Sequence, residues 1–556
     1  MASRLTGLKL LPGLSTGNLA GELMAGITLV TIAIPLNIGY AQIAGLPPIA
    51  GLYALIIPTV IYALVVSSRQ LVASPDAAAA ALVASSIGGL AAAGSDKYMA
   101  MALAQAVICG VVLLLMSVFK LGFIAAFLSE PILVGFVGGL ALDILVSQVA
   151  KMLGVHLAAG GEFVEKVTDL VTGISHANSW SVGISAVSLL LLLAWRRRFP
   201  RVPWALIVLV AATVVVAVAG LDGHGVSVLG SVPGGPPVFT WPELGWAEWI
   251  ALVPSALALA MVTTVEGLLV SRSYGEKHGY EVSADRDLAA FGVGNVAAGL
   301  TGGFAVGSST SRTAAMDQVG SRTQLPSLVL AAVTLVLLMF GTGLLTDIPS
   351  PAIGAIVGVA VVPLLGIGRF IQLWRMERFE FAIAAVCFAV TVLVGSIPGI
   401  IIAFVLALVN LARRAAAPAI DVLRPGADDY RPETDRLTAD SARTTAPGVI
   451  VIRLAAPMFF ANADVFGQAV RTAVSTAGEP VRHVVIDMEA VTDVDVTAAE
   501  SFETLRTWLV DNDVDVSFSR LRRGTRSRMR ELGMLGDDDR VFSGNRDALD
   551  TFDARD

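Results

Sequence analysis

A succession of apolar runs, each long enough to cross a bilayer or half of one, fills the first three quarters of the chain. They fall at 19–44, 49–66, 75–93, 99–119, 131–153, 180–195, 202–220, 248–272, 285–301, 309–320, 325–345, 351–367, 379–395 and 398–412. A spanning helix needs about 20 apolar residues for ~30 Å of hydrocarbon, so these fourteen windows, two of them short, predict an α-helical polytopic membrane protein. The run near Leu19 does not follow a basic stretch ending in a small-residue cleavage site, and equally apolar runs come after it. It therefore reads as a retained first helix.

Charge divides the chain and sets an expected topology. Residues 1–417 carry 21 Lys/Arg and 20 Asp/Glu, whereas the remaining 139 carry 17 and 25, a threefold rise in charged density. The predicted domains are a transmembrane domain, 1–417, a linker, 418–446, and a cytoplasmic domain, 447–556. With a cytoplasmic N-terminus, the inner loops take Arg69, Lys120, Arg196, Arg197, Arg198, Arg272, Arg369 and Arg413. The outer ones take Lys97, Lys151 and Lys166. The positive-inside bias then predicts a multi-pass cell-membrane protein with its N-terminus and tail cytoplasmic. The overall charge of -7 belongs to the acidic tail and argues against nucleic-acid binding. Cys109 and Cys387 lie in apolar runs and the five histidines are scattered, so neither a disulfide framework nor a metal site is expected.

The two short windows carry the functional signal. In the first, Ser74-Pro75-Asp76 precedes an alanine run, with Ser74 the expected N-cap and Pro75 the first helical residue. In the second, a glycine- and hydroxyl-rich stretch from Gly302 runs through Ser308, Ser309, Thr310 and Ser311 into Arg312 and Thr313. Each is the third window of its half, the pattern of a 7+7 inverted repeat whose half-helices point their N-termini at a midplane site. Two such ends, each with roughly +0.5 charge and unpaired N–H groups, make an anion site without a metal or other cofactor.

Arg312 lies at membrane depth, where insertion costs at least ~2.5 kcal/mol. It either binds the anion, or snorkels or pairs with a carboxylate. Glu266 lies in the eighth window. Desolvation disfavours its charged form, so it is either a proton-coupling residue or a structural ion-pair partner, with Arg312 a candidate for that role. Asp143 lines the path or pairs locally. The Gly135/Gly139 and Gly354/Gly358 spacings point to close helix packing.

The stretch Ile34-Pro35-Leu36-Asn37-Ile38-Gly39-Tyr40-Ala41-Gln42, continuing through Gly45-Leu46-Pro47-Pro48 to Tyr53, resembles the signature of the sulfate permease family (SulP, solute carrier family 26). Ser67-Ser68-Arg69-Gln70, Gly294-Asn295 and Ser311-Arg312-Thr313 extend the resemblance along the chain. It implies a fourteen-helix transporter of sulfate, bicarbonate, halide or dicarboxylate, often a homodimer, with a core domain moving against a gate domain. By position, substrate would sit between Asp76, Ala77 and Ala78 and Ser309, Thr310, Ser311 and Arg312, with Tyr40 as an aromatic wall. Glu266 occupies the family's acidic position on helix 8, which goes with proton or sodium coupling. Protons are favoured because no second carboxylate is evident nearby. Leu36 departs from the usual glutamine and removes a hydrogen-bond partner expected in the pocket.

In the tail, strands are predicted at 449–454, 483–487 and 514–519 and helices at 464–476, 497–511 and 525–534. The segments 457–463 and 487–498 resemble the STAS domain of anti-sigma-factor antagonists. The phosphorylated serine of those antagonists is replaced by Val496, and Thr497 is read as a helix cap. A regulatory or folding module that binds a cytoplasmic regulator is therefore expected, not a phosphoswitch. The competing readings are a non-transporting membrane sensor or scaffold acting through the tail, and a nucleobase permease of similar architecture. No nucleophile triad or phosphate loop points to an enzyme.

Overall fold

Apolar periodicity and proline placement account for most element boundaries in the computed structural model, which describes residues 11–123, 130–157, 163–195, 204–424, 431–432 and 444–553. The chain divides into two compact units between residues 407 and 408. The first unit begins with α1 (Leu19–Ile43), followed by a broken pair, α2 (Pro48–Tyr53) and α3 (Ile57–Val65). The break arises because Pro58 has no N–H and its ring cannot follow a helical carbonyl four residues back. The freed Ala54 carbonyl accepts from Thr59 Oγ1 at 3.3 Å instead.

There follow β1 (Ala73–Ser74), α4 (Ala77–Ile87), α5 (Asp96–Val118), α6 (Glu130–Leu153), α7 (Phe163–Gly173), α8 (Ser179–Leu190) and α9 (Trp204–Ala219). Next come α10 (Trp246–His278), α11 (Ala284–Leu300), β2 (Gly307–Ser308), α12 (Thr310–Val319), α13 (Leu325–Phe340), α14 (Ser350–Val361), α15 (Ile367–Met376), α16 (Arg378–Leu393) and α17 (Ser396–Ala416). Every predicted window contains a helix; α7 and the amphipathic α15 fall outside them. Among the described residues, Leu19–Ile43, Pro48–Val65, Asp96–Val118, Glu130–Leu153, Trp246–His278 and Ser350–Met376 are each long and apolar enough to cross a membrane. The protein is therefore a multi-pass membrane protein. The half-length α4 and α12, of 11 and 10 residues, reach only about 15 Å.

Small residues set the helix spacing. A Cβ at Gly110 would meet the Gly292 carbonyl and the Val296 N–H at 2.6 Å, so α5 and α11 touch backbone to backbone. Gly135 and Gly139 lie in the same way against Ala384, Cys387 and Thr391 of α16, while Gly354 faces Gln148 and Met152 of α6. The predicted packing role holds at all three, and is looser at Gly358, whose nearest neighbour is 3.9 Å away. Such contacts replace the hydrophobic drive that lipid cannot supply. Asp143 is held by both carboxylate oxygens to Lys166 Nζ, at 2.8 and 2.9 Å, which is the local pairing. Arg196, Arg197 and Arg198, counted as inner-loop charges, lie outside the described residues.

In the second unit the sheet order is β4-β3-β5-β6-β7-β8. Its strands are β3 (Ile420–Arg424), β4 (Arg431–Pro432), β5 (Val449–Leu454), β6 (His483–Asp487), β7 (Asp515–Ser519) and β8 (Val541–Phe542). Its helices are α18 (Ala463–Ser475), α19 (Val496–Asp511), α20 (Arg523–Glu531) and α21 (Asn545–Asp553). β5 to β8 run parallel, and β3 pairs antiparallel with β5. The linker expected at 418–446 is corrected here: residues 420–424 form β3, because Val422 and Leu423 are apolar enough to be buried in a sheet, between β4 and β5. Residues 425–430 and 433–443 of that linker lie outside the described residues. The α19 cap is corrected too. Asp495 Oδ1 accepts from Ala498 N at 2.7 Å and Oδ2 from Phe460 N at 3.0 Å, leaving Thr497 exposed in the first turn.

Asp487, at the end of β6 with no exposed side chain, accepts from Arg453 Nε at 2.8 Å, Arg520 Nε at 3.1 Å, Glu489 N at 3.1 Å and Asn545 Nδ2 at 3.2 Å. Burial pushes its carboxyl pKa up, but these donors, Arg520 and Arg453 foremost, outweigh it and hold the carboxyl below the ordinary aspartate range. A depressed folded pKa stabilises the fold above the unfolded value of ~3.9, and that contribution is lost as pH falls through the folded pKa. Asp487→Asn should destabilise this unit by about 2–3 kcal/mol, at the lower side of breaking a buried ion pair, because Glu489 still partners Arg520 at 2.5 Å. Limited proteolysis of the full chain at increasing temperature checks it, and an unchanged cleavage midpoint would refute it.

Candidate functional site

Two extended segments, far apart in sequence, precede the half-helices and pair with each other. β1 and β2 form an antiparallel ribbon with Ala73 opposite Ser308 and Ser74 opposite Gly307. Ser309 N donates to Val72 O, and Val72 N donates to Thr313 Oγ1, both at 3.0 Å. The ribbon therefore sets the starts of α4 and α12 side by side. Asn295 fixes the approach to the second: its amide brackets Val306, donating to the carbonyl at 2.9 Å and accepting from N–H at 3.0 Å. Gln324 donates to the carbonyls of Ser68 and Leu71 at 3.0 and 2.8 Å and fixes the approach to the first.

The caps differ from expectation at one end. Ser74 is committed to the ribbon, so the N-cap of α4 is Asp76, whose Oδ1 accepts from Ala79 N at 2.7 Å, and Pro75 lies outside the helix. At the other end Ser309 caps α12, accepting from Arg312 N at 3.4 Å and from Arg312 Nε at 2.7 Å.

Arg312, 1% exposed, bridges the two half-helices. Its Nη2 donates to the Pro75 carbonyl at 2.6 Å and its guanidinium lies 5.7 Å from the Tyr40 ring centroid. Nη1 is buried without a hydrogen-bond partner, as are the hydroxyls of Ser74 and Ser308. Among the described residues Arg312 has no carboxylate within 4 Å, so the alternative of an ion pair with Glu266 is not formed; its donors go to Ser309 and Pro75. Glu266, on α10, is half-buried and its charge interacts with that of Asp76. Asp76 is thus the second carboxylate that the sequence reading did not find near Glu266, and its presence corrects the ground for favouring protons over sodium. The two carboxylates lie 190 positions apart and meet because α10 packs on both α4 and β2.

Of the predicted substrate residues, Tyr40, Asp76, Ala77, Ala78, Ser309 and Arg312 converge at the ribbon. Ala77 and Ala78 are buried, whereas Thr310 and Ser311 have exposed side chains on the first turn of α12. Leu36 is buried in the apolar core. Sequence reasoning missed Ser308 as an orphan hydroxyl, and it missed the polar frame that holds the motifs. Asp287 accepts from Ser67 N and Oγ at 2.8 and 2.6 Å and from Ser271, and Tyr280 donates to Gln70 Oε1 at 2.5 Å. Glu22 is also buried, accepting from Ser321 Oγ, Arg322 N and Thr323 Oγ1 at 2.8, 2.6 and 2.8 Å. An acidic residue inside or bordering an apolar window was the available signal.

An orphan guanidinium nitrogen, two orphan hydroxyls and two helix N-termini are donors awaiting an acceptor, and their chemistry suits an anion. Comparisons with known proteins agree. Residues 19–387 match the sulfate permease family and residues 441–548 the STAS domain. A probable sulfate transporter of Mycobacterium tuberculosis is 36% identical over 548 residues, 97% of this chain and 96% of its own. Probable sulfate transporter 3.3 of Arabidopsis thaliana is 26% identical, over 91% and 83%. Among solved structures, the murine solute carrier 26 family member A9 anion transporter in the inward-facing state superposes with a TM-score of 0.86 at 20% identity, covering 100% of this chain and 96% of that one. The transmembrane domain of a cyanobacterial bicarbonate transporter gives 0.63 at 24% identity, covering 70% and 98%. These matches exclude the nucleobase-permease reading and place the chain among transporters, not enzymes. It belongs to the sulfate permease (solute carrier 26) family and carries a STAS domain after its membrane part.

Proposed function

We propose that this protein is a secondary active transporter of a small anion of the sulfate, bicarbonate or dicarboxylate class, driven by protons and working by alternating access. The anion binds between the starts of α4 and α12, on the Arg312 guanidinium, the first-turn N–H groups and the Ser74 and Ser308 hydroxyls, with Tyr40 as a wall. Glu266 carries the coupling proton. The observation that supports this most is the fully buried Arg312 with an unpartnered Nη1 at the crossing of two half-helices. Sulfate heads the candidates because the relatives above are named for it.

The proposed frame is fourteen spans in a 7+7 inverted repeat, with residues 1–417 as the transport domain, assembled as a homodimer in the cell membrane. The N-terminus and the STAS domain face the cytoplasm, where the latter binds a regulator. The test is uptake by purified protein in proteoliposomes, neutral inside and acidic outside, with labelled sulfate, bicarbonate, chloride and fumarate. Saturable uptake of one anion that a protonophore collapses is expected. Absence of uptake of all four by folded protein would overturn the reading in favour of a sensor acting through the STAS domain.

A further inference from the structure

The start of α4 already holds an anion of its own. Asp76 Oδ1 takes the Ala79 N–H at 2.7 Å, and its other oxygen presses so closely on Gly307 that a Cβ there would collide with it. The carboxylate therefore sits at the N-terminus of one half-helix and against the strand leading into the other. An arriving anion wants the same donors.

The charges around Asp76 can be followed element by element. From α12 it faces Arg312, from α1 Tyr40, and from α10 Glu266. On α6, which also packs on α4, Asp143 is neutralised by Lys166, and Lys151 keeps its charge while donating to the neutral Gln42 amide at 3.0 Å, but Arg312 is the cation whose charge acts on Asp76. On α5, Lys97 pairs with Glu248 at 3.2 Å. The site charge is thus set by one guanidinium and two carboxylates. With both carboxylates ionised it is -1, which repels an anion. With Glu266 protonated it is zero, and with Asp76 also neutral it is +1.

We infer that Asp76 is a positioning residue for coupling: a fixed internal counter-anion of Arg312 that makes anion binding require a protonated Glu266. The inference rests on the proton-coupled transport proposed above. The Ala79 N–H fixes the Asp76 side chain and favours its carboxylate form, whereas Glu266 has no such donor among the described residues and is the group that exchanges its proton. Without that charge, Arg312 would balance an ionised Glu266 and an anion would bind unaccompanied by a proton.

Asparagine caps helices as well as aspartate does, so Asp76→Asn removes the charge and keeps the turn. Binding of labelled sulfate to purified protein between pH 6 and 8, together with pH-driven uptake, tests the inference. Wild-type affinity should fall as pH rises. Asp76→Asn should bind sulfate about tenfold more tightly than wild type at pH 8, as expected for one fewer like charge in the site, with a flattened pH profile and lower pH-driven accumulation. Asp76→Glu, which keeps the charge, should restore the wild-type profile. An Asp76→Asn profile superimposable on wild type, in protein that accumulates sulfate with the pH gradient, would overturn this inference alone. Wild-type protein that neither binds nor accumulates sulfate at any of these pH values would overturn it together with the transport reading. A sodium requirement replacing the proton dependence would overturn it as well, since the two carboxylates would then serve a cation.

Discussion

Arg312→Ala should lower anion affinity by roughly 10- to 100-fold while the protein still folds. Hydrogen bonds to a charged group are worth about 1.5–3 kcal/mol, and each 1.4 kcal/mol is a factor of ten in binding. Nη1 is the donor without a partner, and the substitution removes it along with the positive charge at the crossing of α4 and α12. The structural cost falls on the Pro75 carbonyl, which loses its 2.6 Å donor, on the Ser309 hydroxyl, which loses Nε at 2.7 Å, and on a cavity beside Tyr40. Ser309 still caps α12, so the half-helix keeps its start. Size-exclusion elution and thermal unfolding of the purified variant separate misfolding from lost binding. Arg312→Lys should be intermediate, because it keeps the charge but cannot reach Pro75, Ser309 and an anion at once. An alanine variant that binds sulfate with wild-type affinity would remove Arg312 from the site.

Glu266→Gln should keep exchange of anion for anion and lose accumulation against a gradient. Glutamine has the shape of the protonated acid and cannot release a proton, so it fixes the site in the state that admits an anion. With one proton carried per anion, a pH difference of one unit gives a tenfold driving force, and the variant should show none of it. The position suits the role: Glu266 is half-buried, makes no ion pair among the described residues, and shares a field with Asp76. A purely structural carboxylate at membrane depth would be expected to be paired, as Asp143 is with Lys166. Counterflow and pH-jump uptake in the same proteoliposomes check the prediction, and pH-driven accumulation by the glutamine variant would refute it.

The two variants of the carboxylate pair act in opposite directions, which makes the mechanism separable. Glu266→Gln removes the group that moves the proton, whereas Asp76→Asn removes the charge that makes the proton necessary. In the first, exchange persists without coupling. In the second, binding tightens at high pH.

Much of this was legible in the chain, and the division follows a physical line. Apolar runs report burial or lipid contact residue by residue, so the helical windows, the two half-helices and the strands Val449–Leu454 and His483–Asp487 could be read directly. The convergence of Tyr40, Arg312 and the two helix starts followed from motif resemblance and from the cost of an arginine at membrane depth. What could not be read were the outcomes of competition between groups that only the fold brings together. Ser74 and Asp76 are both good caps by composition, and the choice fell to Asp76 because the backbone at Ser74 pairs with Gly307, more than 230 positions away. Asp495 displaced Thr497 in the same way, by also reaching Phe460 N. Residues 420–424 became a strand because β5 offered an unpaired edge. Hydropathy is a property of a residue and its near neighbours, so the sequence by itself determined which segments are helices and where polar groups interrupt them. Caps, ion pairs and the Asp76–Glu266 pair are properties of distance between remote segments, and those were decided only when α10 packed on α4 and β2.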